Sequence, residues 1–357
     1  MMTKDYLTQA LKLAEIQRGF CAPNPSVGAV LVKDQRIIAS GYHLGPGHPH
    51  AEAITLAKAS THAQGATLYV TLEPCCHRNK KTAPCTEAII KAGVSEVIYA
   101  VSDPNPAVSG QGEQRLNAAG VRCSRYLSPA IEKFYASYQH WWHYKQPFVT
   151  TKLALSLDGK IAGNDGQRIY LTSKQTQRFT HQQRKRSDAL LTTATTICND
   201  DPLLNVRLST EIIPKPLYIL DRQLQLPETA RIFTSASCLT IFHQEKVNEV
   251  KRQRLKNLGA QCISVANDQG GLNLQAIIYW IGQAGYHDLW VEAGGRCTQA
   301  LIQNALVQRS FIYIAPKIIG SEGIDAFTEP NILEKVRSCT WTLCGSDVIA
   351  VIIHTTA

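Results

Sequence analysis

The 357-residue sequence lacks the features that would place it in a membrane or in a secreted pathway. No apolar run approaches the roughly 20 residues that a membrane-spanning helix needs. Residues 1–20 carry charged side chains at intervals, so the unbroken apolar core of a signal peptide is missing. The 11 cysteines are an odd number scattered along the whole chain, which does not fit a secreted disulfide framework. We therefore expect a cytoplasmic protein with no membrane partner.

Little in the sequence points to nucleic acid, although the formal net charge is +9. A basic excess of this kind can serve nucleic-acid binding. The basic residues are spread along the chain, however, without a long Lys/Arg tract or a repeat of aromatic and basic residues. Small anionic ligands such as phosphates explain the excess equally well, so charge alone does not decide the ligand class.

The length exceeds what one hydrophobic core usually serves, which predicts two domains. Pro147 marks the expected boundary, giving domains at 1–146 and 147–357. Residues 131–145, just before it, form a helical pattern rich in aromatic side chains. We interpret this segment as packing between the domains, because stacking platforms for nucleic acid usually lie on strands among basic residues.

One stretch, residues 48–85, concentrates side chains that suit a metal site. His50, Cys75 and Cys85 offer the ligand types that Zn²⁺ prefers, and three protein ligands leave the fourth position of a catalytic site for water. Glu52 follows the histidine by two residues and can carry protons. Zinc deaminases show H-x-E followed by P-C-x-x-C, with the glutamate as general acid and base. The first half of this pattern is present, whereas nine residues separate Cys75 from Cys85.

Two other interpretations of this stretch stay open. Cys76 or His77 could complete a closed, four-ligand structural zinc site, in which Glu52 would have no role. Cys75 and Cys85 could form a disulfide, which a reducing compartment disfavours. The catalytic hypothesis is preferred because His-x-Glu and Pro-Cys occur together and in order, each beside a predicted helix.

Alternating apolar periodicities predict an α/β fold for both halves. In the first half the pattern predicts an opening helix, a hairpin, and helices whose starts carry His50, Glu52 and Cys85. In the second half no G-x-G-x-x-G follows the first strand, which disfavours a Rossmann domain. A strand, a glycine turn and a helix follow one another from residue 291, an arrangement that can present N–H groups to a phosphate. The predicted elements of the second half are strands at 148–155, 189–192, 217–220, 239–242, 261–265, 288–291, 311–315 and 348–354, and helices at 174–186, 249–258, 274–284 and 298–304.

Short motifs along the chain resemble the family of bifunctional riboflavin-biosynthesis deaminase–reductases. The first half contains Pro-Asn-Pro-x-Val-Gly from residue 23, His-Ala-Glu from 50, Leu-Glu-Pro-Cys-x-His from 72, Lys-Thr-x-Pro-Cys from 81 and Asp-Pro-Asn-Pro from 103. The second half contains Lys-Leu-Ala-x-Ser-Leu-Asp-Gly from 152, Asn-Asp-Asp-Pro-x-Leu-x-x-Arg from 199 and Glu-Ala-Gly-Gly from 292. The resemblance covers nearly the whole chain. It implies a cytidine-deaminase-like three-layer domain followed by a dihydrofolate-reductase-like domain.

For the first half, the resemblance implies that His50, Cys75 and Cys85 bind zinc and that Glu52 is the proton shuttle. The implied substrate-binding residues are Asn24, His43, Lys81, Thr82 and Asn105. One departure is that the family usually has one residue fewer between the two cysteines, so residues 78–80 hold an insertion. Either the loop bulges there or Cys76 replaces Cys75, and Cys75 is preferred because it follows Glu-Pro as the family's ligand does.

For the second half, the resemblance implies NADPH contacts at Ala154, Tyr170, Thr196, Asp200, Gly294, Gly295 and Arg296. It implies substrate contacts at Arg168, Arg184, Leu204, Arg207 and Glu292. Position 168 departs from the family, in which a small polar residue is more usual. Arg184 and Arg207 suit a sugar phosphate, because a guanidinium binds phosphate through two N–H groups. The alternatives are a solvated helix face for Arg184 and a loop salt bridge for Arg207.

The implied function is a pair of consecutive reactions with Zn²⁺ and NADPH as cofactors. Zinc-dependent hydrolytic deamination of 2,5-diamino-6-ribosylamino-4(3H)-pyrimidinone 5′-phosphate would precede NADPH-dependent reduction of the ribosyl group to ribityl. The product would be 5-amino-6-ribitylamino-uracil 5′-phosphate, with Asp200 or a water as proton source for the reduction. We expect a homo-oligomer, a dimer or tetramer, with no nucleic-acid partner.

Two alternatives belong to other classes of protein. A tRNA base deaminase would carry a basic, aromatic RNA-binding half after residue 147, where the sequence predicts a complete α/β domain instead. A non-catalytic zinc-stabilised interaction protein would have no use for Glu52.

Overall fold

A computed structural model describes residues 2–76, 83–163, 169–208, 210–268, 270–334 and 336–355. The chain divides into two units, Met1–Lys145 and Gln146–Ala357, a division that falls one residue from the expected boundary. No helix in the described ranges is both long enough and apolar enough to cross a membrane.

The first unit alternates helices and strands around one mixed sheet. In its described residues five strands pair in the order β2-β1-β3-β4-β5. β1 is antiparallel to β2 and β3, whereas β3, β4 and β5 run parallel. The elements are α1 (Thr3–Ile16), β1 (Gly28–Lys33), β2 (Arg36–Tyr42), α2 (Ala51–Ala59), β3 (Thr67–Leu72), α3 (Cys85–Lys91), β4 (Glu96–Val101), α4 (Gln111–Ala118), β5 (Arg122–Arg125) and α5 (Pro129–Tyr144).

Both faces of this sheet are buried, because neighbouring apolar residues on each strand point to opposite sides. Helices α2, α3 and α4 cover one face, with side chains such as Leu56, Ile89 and Leu116 in its core. Helices α1 and α5 cover the other face. Phe134, Tyr135 and Tyr138 of the aromatic segment thus belong to the core of the first unit, although the sequence suggested packing between domains. The result is a three-layer α/β/α unit.

The second unit is built on a larger mixed sheet. In its described residues nine strands pair in the order β13-β12-β11-β8-β16-β6-β17-β20-β19. The strands from β13 to β17 run parallel, and β20 and β19 complete the sheet antiparallel. The strands are β6 (Phe148–Ser156), β7 (Lys160–Ala162), β8 (Ala189–Thr193), β9 (Val206–Leu208), β10 (Glu211–Ile213), β11 (Pro216–Leu220), β12 (Cys238–His243), β13 (Ala260–Ser264), β14 (Asn267–Asp268), β15 (Gly271–Leu272), β16 (Asp288–Glu292), β17 (Arg309–Ala315), β18 (Ile324–Asp325), β19 (Val336–Cys344) and β20 (Asp347–His354). The helices are α6 (Lys174–Arg186), α7 (Ala194–Asp200), α8 (Ile232–Ser235), α9 (Glu249–Asn257), α10 (Leu274–Gln283) and α11 (Gly295–Gln303).

Helices also cover both faces of the second sheet. Ile197, Ile232 and Leu255 pack on one face, from α7, α8 and α9. Ile278 and Leu301 pack on the other, from α10 and α11. The α/β fold that the sequence predicted for each half is therefore confirmed.

The eight predicted strands of the second half and three of its four predicted helices are present, with bounds that differ by at most two residues. The fourth helix begins at Gly295 rather than at residue 298, because the glycine turn leads into it directly. β19 was not predicted, although Cys339, Trp341 and Leu343 alternate with threonines in its second half; nearly all of its side chains are exposed. α4 was also missed, because its sequence is polar and buries little beyond Leu116.

Candidate functional site

The first candidate site lies where β3 ends and α2 and α3 begin. His50 is the N-cap residue of α2 and has extended backbone angles (φ −71°, ψ 163°), which turn the loop into the helix. Cys85 is the first residue of α3, and Cys75 lies in the loop that follows β3. One atom from each of these three side chains lies within 4.8 Å of the others, and in the described part of the chain this is the one His/Cys/Asp/Glu group that could hold a metal ion.

The spacing of these atoms fits zinc. His50 Nδ1 is 3.2 Å from Cys85 Sγ and 3.5 Å from Cys75 Sγ. Tetrahedral zinc with ordinary Zn–N and Zn–S bonds separates such ligand atoms by about 3.6–3.8 Å. Both cysteines are free thiols, so the disulfide alternative is wrong. The donor set, one imidazole and two sulfurs, is the one expected of a catalytic zinc site with an open position.

The two cysteines differ in their proton affinity. Hydrogen bonds from the Cys85 thiol and from His50 lower the pKa of Cys75 well below that of an ordinary thiol. Donation of that hydrogen bond, together with burial, raises the pKa of Cys85. The backbone N–H of Cys85, at the start of α3, also points at Cys75 Sγ over 3.5 Å. A sulfur anion is thus favoured at Cys75, as a metal ligand requires.

Cys76 does not belong to this cluster. It is not among the three grouped side chains, and its carbonyl oxygen accepts a hydrogen bond from Arg115 Nη1 at 3.3 Å. Burial raises the pKa of its thiol, so the neutral form is favoured there. His77 and the insertion expected at 78–80 lie outside the described residues, as do Lys81 and Thr82. The three-ligand cluster with Cys75 is therefore the arrangement that the described side chains form.

Glu52 lies in the first turn of α2, beside the cluster, and its side chain is buried. Burial raises the pKa of Glu52, while the nearby His50 acts in the opposite direction. A carboxyl group with a raised pKa takes up and releases a proton closer to neutral pH than an exposed one. Its chemistry is that of a proton carrier next to a metal site.

His43 and Asn24 form a hydrogen-bonded pair at the edge of the same pocket. His43 Nδ1 lies 3.1 Å from the carbonyl oxygen of Pro49, which can only accept, so Nδ1 carries the hydrogen. The other ring nitrogen, Nε2, then accepts from the Asn24 amide at 3.2 Å. The His43 and His50 rings meet edge to face, with centroids 5.3 Å apart. The structure therefore places His43 and Asn24 next to the three candidate metal ligands.

Asn105 reaches this pocket from the loop after β4. Its backbone N–H donates to Asp103 Oδ1 at 2.9 Å, and its side-chain oxygen accepts from the Ala107 N–H at 3.0 Å. Two residues that the sequence did not single out, Glu73 and Tyr138, line the pocket as well. Glu73 stands inside the Leu-Glu-Pro-Cys motif, which was the available signal. Tyr138 was assigned to packing only.

The second candidate site is a cleft of about 930 Å³ in the second unit. It lies at the carboxyl ends of β6, β8 and β16, the edge at which open parallel sheets bind ligands. Of the twelve residues implied for this half, Arg168 lies outside the described residues. The others all line the cleft: Ala154, Tyr170, Arg184, Thr196, Asp200, Leu204, Arg207, Glu292, Gly294, Gly295 and Arg296.

The glycine turn before α11 suits a phosphate. Gly294 is the N-cap of the helix, and Gly295 and Arg296 are its first residues. A Cβ atom at Gly295 would lie 1.7 Å from the carbonyl oxygen of Ala326, so only glycine allows this close approach of the two backbone segments. Gly294, Gly295 and Arg296 line the cleft, and the N–H groups and dipole at the start of a helix favour an anion.

Arg184 is not the solvated helix residue considered as an alternative. It is buried, and its Nε and Nη2 atoms donate to the two carboxylate oxygens of Glu292 at 2.5 and 2.9 Å. Its Nη1 donates to the carbonyl oxygen of Asn205 at 2.9 Å. Burial by itself would raise the pKa of Glu292, but Arg184 lowers it to about 2. The Arg184 guanidinium, which was expected to bind a phosphate, thus binds the Glu292 carboxylate instead. The Arg184–Glu292 pair forms one wall of the cleft.

Arg207 differs from Arg184 because it is exposed. Its backbone N–H donates to His181 Nδ1 at 3.0 Å, and its Nη1 bonds to the side-chain oxygen of Asn205. Leu204, by contrast, is buried and holds a φ of 45°, a strained angle for a non-glycine residue. Lys152, to which the sequence analysis gave no site role, also lines the cleft. Burial lowers its pKa, and the available signal was its place at the start of the Lys-Leu-Ala-x-Ser-Leu-Asp-Gly motif.

Comparison with known proteins gives consistent matches for both halves. The family model for the cytidine and deoxycytidylate deaminase zinc-binding region matches residues 2–101, and the model for the RibD C-terminal domain matches residues 147–350. The riboflavin biosynthesis protein RibD of Aquifex aeolicus is 38% identical over 327 residues, covering 90% of this chain and 88% of the relative.

Two solved structures are similar over the full length. Acinetobacter baumannii RibD is 31% identical with a TM-score of 0.88, and the match covers 99% of each chain. A diaminohydroxyphosphoribosylaminopyrimidine deaminase/5-amino-6-(5-phosphoribosylamino)uracil reductase of Thermotoga maritima is 29% identical with a TM-score of 0.85, again covering 99% of each chain. The order of the two expected domains is therefore matched by whole relatives, and the cytidine-deaminase-like and reductase folds expected from the sequence are confirmed.

Proposed function

The chain belongs to the family of bifunctional riboflavin-biosynthesis deaminase–reductases. We propose that the deamination takes place at the three candidate metal ligands of the first unit and the reduction in the cleft of the second unit. The chain is an enzyme with a zinc-dependent deaminase domain and an NADPH-dependent reductase domain. A tRNA base deaminase is not favoured, because the second half matches the RibD C-terminal domain rather than an RNA-binding module. The observation that carries the proposal is the His50, Cys75 and Cys85 cluster beside a buried Glu52.

The deamination is assigned to the first unit. His50, Cys75 and Cys85 would hold zinc, which when bound lowers the pKa of a water toward neutrality. Glu52 accepts a proton from the water, while the water oxygen bonds to the ring carbon that carries the exocyclic amine. Glu52 then donates the proton to the nitrogen as the carbon–nitrogen bond breaks and ammonia leaves. Its buried position and raised pKa support both steps.

Recognition of the pyrimidine is assigned to Asn24, His43 and Asn105, with Lys81 and Thr82 added by the resemblance. The first three line the pocket next to Glu52, and they offer amide and imidazole groups that suit the polar edges of a pyrimidinone. The hydrogen bonds from His43 to Pro49 and from Asn24 to His43 orient both side chains before the substrate binds.

The reduction is assigned to the second unit. NADPH, when bound, supplies the reducing equivalents that convert the ribosyl group to a ribityl chain. The start of α11, with Gly294, Gly295 and Arg296, would bind a phosphate of the cofactor, with Ala154, Tyr170, Thr196 and Asp200 along the same cleft. Arg184 and Glu292 orient each other in one wall. The exposed Arg207 is assigned to the sugar phosphate, and Leu204 and Arg168 are assigned to the substrate more generally.

The test uses one purified sample and two substrates. With the diaminopyrimidine ribosyl phosphate we expect ammonia release first, followed by NADPH oxidation. With the deaminated pyrimidine we expect NADPH oxidation without ammonia. NADPH oxidation that precedes ammonia release from the diamino compound would contradict the assigned order, and absence of both activities in the zinc-loaded protein would contradict the function.

We further propose a cytoplasmic homo-oligomer, a dimer or tetramer, that acts without nucleic acid. None of the eleven cysteines, all of which lie in the described residues, forms a disulfide, which suits a reducing compartment. β19 lies at the edge of the large sheet, and Trp341 and Leu343 on it are 63% and 79% exposed. An edge strand with exposed apolar side chains readily pairs with another chain. Light scattering should give a multiple of the chain mass, and Trp341→Lys with Leu343→Lys should return the monomer mass.

A further inference from the structure

The loop after β4, residues 102–110, brings Asn105 to the deaminase pocket, and its position is set by contacts from outside the loop. Asn105 lies five residues before Gly110, the N-cap of α4, and between the two there is no strand or helix to hold it. A loop of this kind needs tertiary contacts to keep one conformation. The described residues provide polar contacts of this kind from Glu73 and Tyr138, and Val108 of the loop is buried against Cys75 and Cys85.

Glu73 joins both ends of this loop through a single carboxylate. One oxygen, Oε2, accepts from the backbone N–H groups of Asp103 at 3.3 Å and Gly110 at 3.0 Å. The other, Oε1, accepts from Gly112 at 3.0 Å and Glu113 at 3.4 Å. The side chain is only 3% exposed, so water does not compete for these donors. Glu73 thereby satisfies N–H groups at the start of α4 that the helix itself leaves unpaired.

The close fit around Glu73 shows that the start of α4 packs directly against the segment that follows β3. A Cβ atom at Gly112 would lie 2.2 Å from the carbonyl oxygen of Pro74 and 3.1 Å from Glu73 Oε1. Glycine at this position is therefore required for the carboxylate to reach the N–H groups. Glu73 and Pro74 also immediately precede Cys75, so the same short segment carries a metal ligand and holds the Asn105 loop.

Tyr138 provides the second contact. Its hydroxyl donates to Asp103 Oδ1 at 3.3 Å, and the same oxygen accepts the N–H of Asn105 at 2.9 Å. Tyr138 comes from α5, on the opposite face of the sheet from α4, so the loop is held from two sides. Both Glu73 and Tyr138 line the pocket together with Glu52 and Asn105.

We propose that Glu73 is a positioning residue of the deaminase, which holds Asn105 at a fixed distance from the metal ligands and so sets the affinity for the pyrimidine. Tyr138 supports it through Asp103. The inference rests on the proposed function, since it takes Asn105 as a substrate contact. Glu73 acts through the loop and not on the reacting atoms, so its loss changes binding of the substrate more than the chemical step.

The test is Glu73→Gln in the full-length, zinc-loaded protein. A carboxamide keeps the shape but presents an NH₂ group to two backbone N–H donors, so those bonds are lost. We expect KM for the diaminopyrimidine to rise about tenfold, as the loss of one or two buried hydrogen bonds implies. The kcat of ammonia release should stay within a few-fold, and zinc content and NADPH-dependent reduction of the deaminated pyrimidine should be unchanged.

Asp221→Asn is the matched control. Asp221 is likewise buried and accepts two backbone N–H groups, from Gln225 at 2.8 Å and Leu226 at 2.9 Å, but it lies in the second unit. The same change of carboxylate to carboxamide there should leave the KM of deamination unaltered. A KM increase in both variants would show a general effect of destabilisation and overturn the proposal.

Tyr138→Phe tests the positioning of the Asn105 loop if Glu73→Gln does not fold. It removes one hydroxyl and should raise the deamination KM by a smaller factor, with kcat and zinc retained. An unchanged KM in the variant that folds, a fall in kcat alone, or a loss of zinc would each overturn the positioning role. A wild-type protein that releases no ammonia would instead contradict the proposed function, so the two failures are distinguishable.

Discussion

The two candidate sites differ in how much of the chain is needed to build them. The metal ligands and Glu52 lie between residues 50 and 85, at two helix starts and one strand end. The cleft of the second unit is lined by residues from Lys152 to Thr328. A metal needs only a few atoms within 4.8 Å, which a short stretch can supply. A nucleotide and a sugar phosphate need an extended wall, which several strands and helices must provide together.

The sites differ in charge balance as well. The first places a favoured thiolate at Cys75, which suits a metal cation, beside the buried Glu52, whose raised pKa suits a proton carrier. In the second, Arg184 and Glu292 neutralise each other. The first site therefore offers ligands for a metal ion, whereas the second contains a buried ion pair whose two side chains orient each other.

The largest expected effect comes from removal of a metal ligand. Cys75→Ser or Cys85→Ser should lose zinc and abolish ammonia release, while NADPH-dependent reduction of the deaminated pyrimidine persists. Metal analysis and the two assays measure this. Cys76→Ser is the matched control and should keep both zinc and activity. If Cys76→Ser loses zinc while Cys75→Ser keeps it, the ligand assignment is wrong.

Removal of the proton carrier should have the next largest effect. Glu52→Gln should keep zinc and the fold but lower the rate of deamination by ~10²–10⁴-fold, since a carboxamide cannot accept the proton. Reduction of the deaminated pyrimidine should be unaffected, which would sharpen the separation of the two sites. Near-normal ammonia release from this variant would refute the role of Glu52.

Breaking the ion pair in the cleft should destabilise the second unit. Arg184→Met leaves Glu292 buried without its partner, at a cost of roughly 3–5 kcal/mol in the free energy of unfolding. Arg231→Met is the matched control, because the Arg231–Asp201 pair is about half exposed and should contribute less than ~1 kcal/mol. Denaturant unfolding measures both values. Equal losses of unfolding free energy in the two variants would contradict the claim that burial makes the Arg184–Glu292 pair the more important one.

The same ion pair predicts a pH dependence. The pKa of Glu292 is lowered from its ordinary value of 4.5 to about 2, so the ionised form is favoured in the folded state. Its contribution to stability is therefore present above pH 4.5 and is lost as the pH falls toward 2. Acid unfolding of the wild type should show this loss, and Arg184→Met should show less of it.

The smallest expected effect is that of Arg207→Ala on the reduction. Because Arg207 is exposed, its contact with a phosphate is screened by water, and we expect a KM increase on the order of tenfold or less. The effect should shrink further at high salt, and deamination should not change. A loss of reduction by several orders of magnitude would show that the cleft closes over Arg207 when the substrate binds.

Segments with a strong apolar pattern were predicted well, as the agreement for helix Leu274–Gln283 and strand Asp288–Glu292 shows. Elements that are stabilised by strand pairing or by hydrogen bonds at a helix end, rather than by a buried apolar face, were missed. β19 is held by pairing with β20 while its side chains face solvent, and α4 is held at its start by Glu73. α4 leaves little apolar periodicity, because it buries little beyond Leu116, whereas β19 alternates Cys339, Trp341 and Leu343 with threonines but leaves all three exposed.

The sequence by itself determined the chemistry of the first site, because residue types and their order between His50 and Cys85 are enough to indicate a metal and a proton carrier. It also determined the α/β class of both halves through apolar periodicity. Only the tertiary structure decided which cysteine faces the metal cluster, since Cys75 and Cys76 are neighbours with the same chemistry. It alone decided that the partner of Arg184 is Glu292, 108 residues away, and that Glu73 holds the loop of Asn105. These contacts depend on how distant strands and helices pack, and residue spacing does not record that packing.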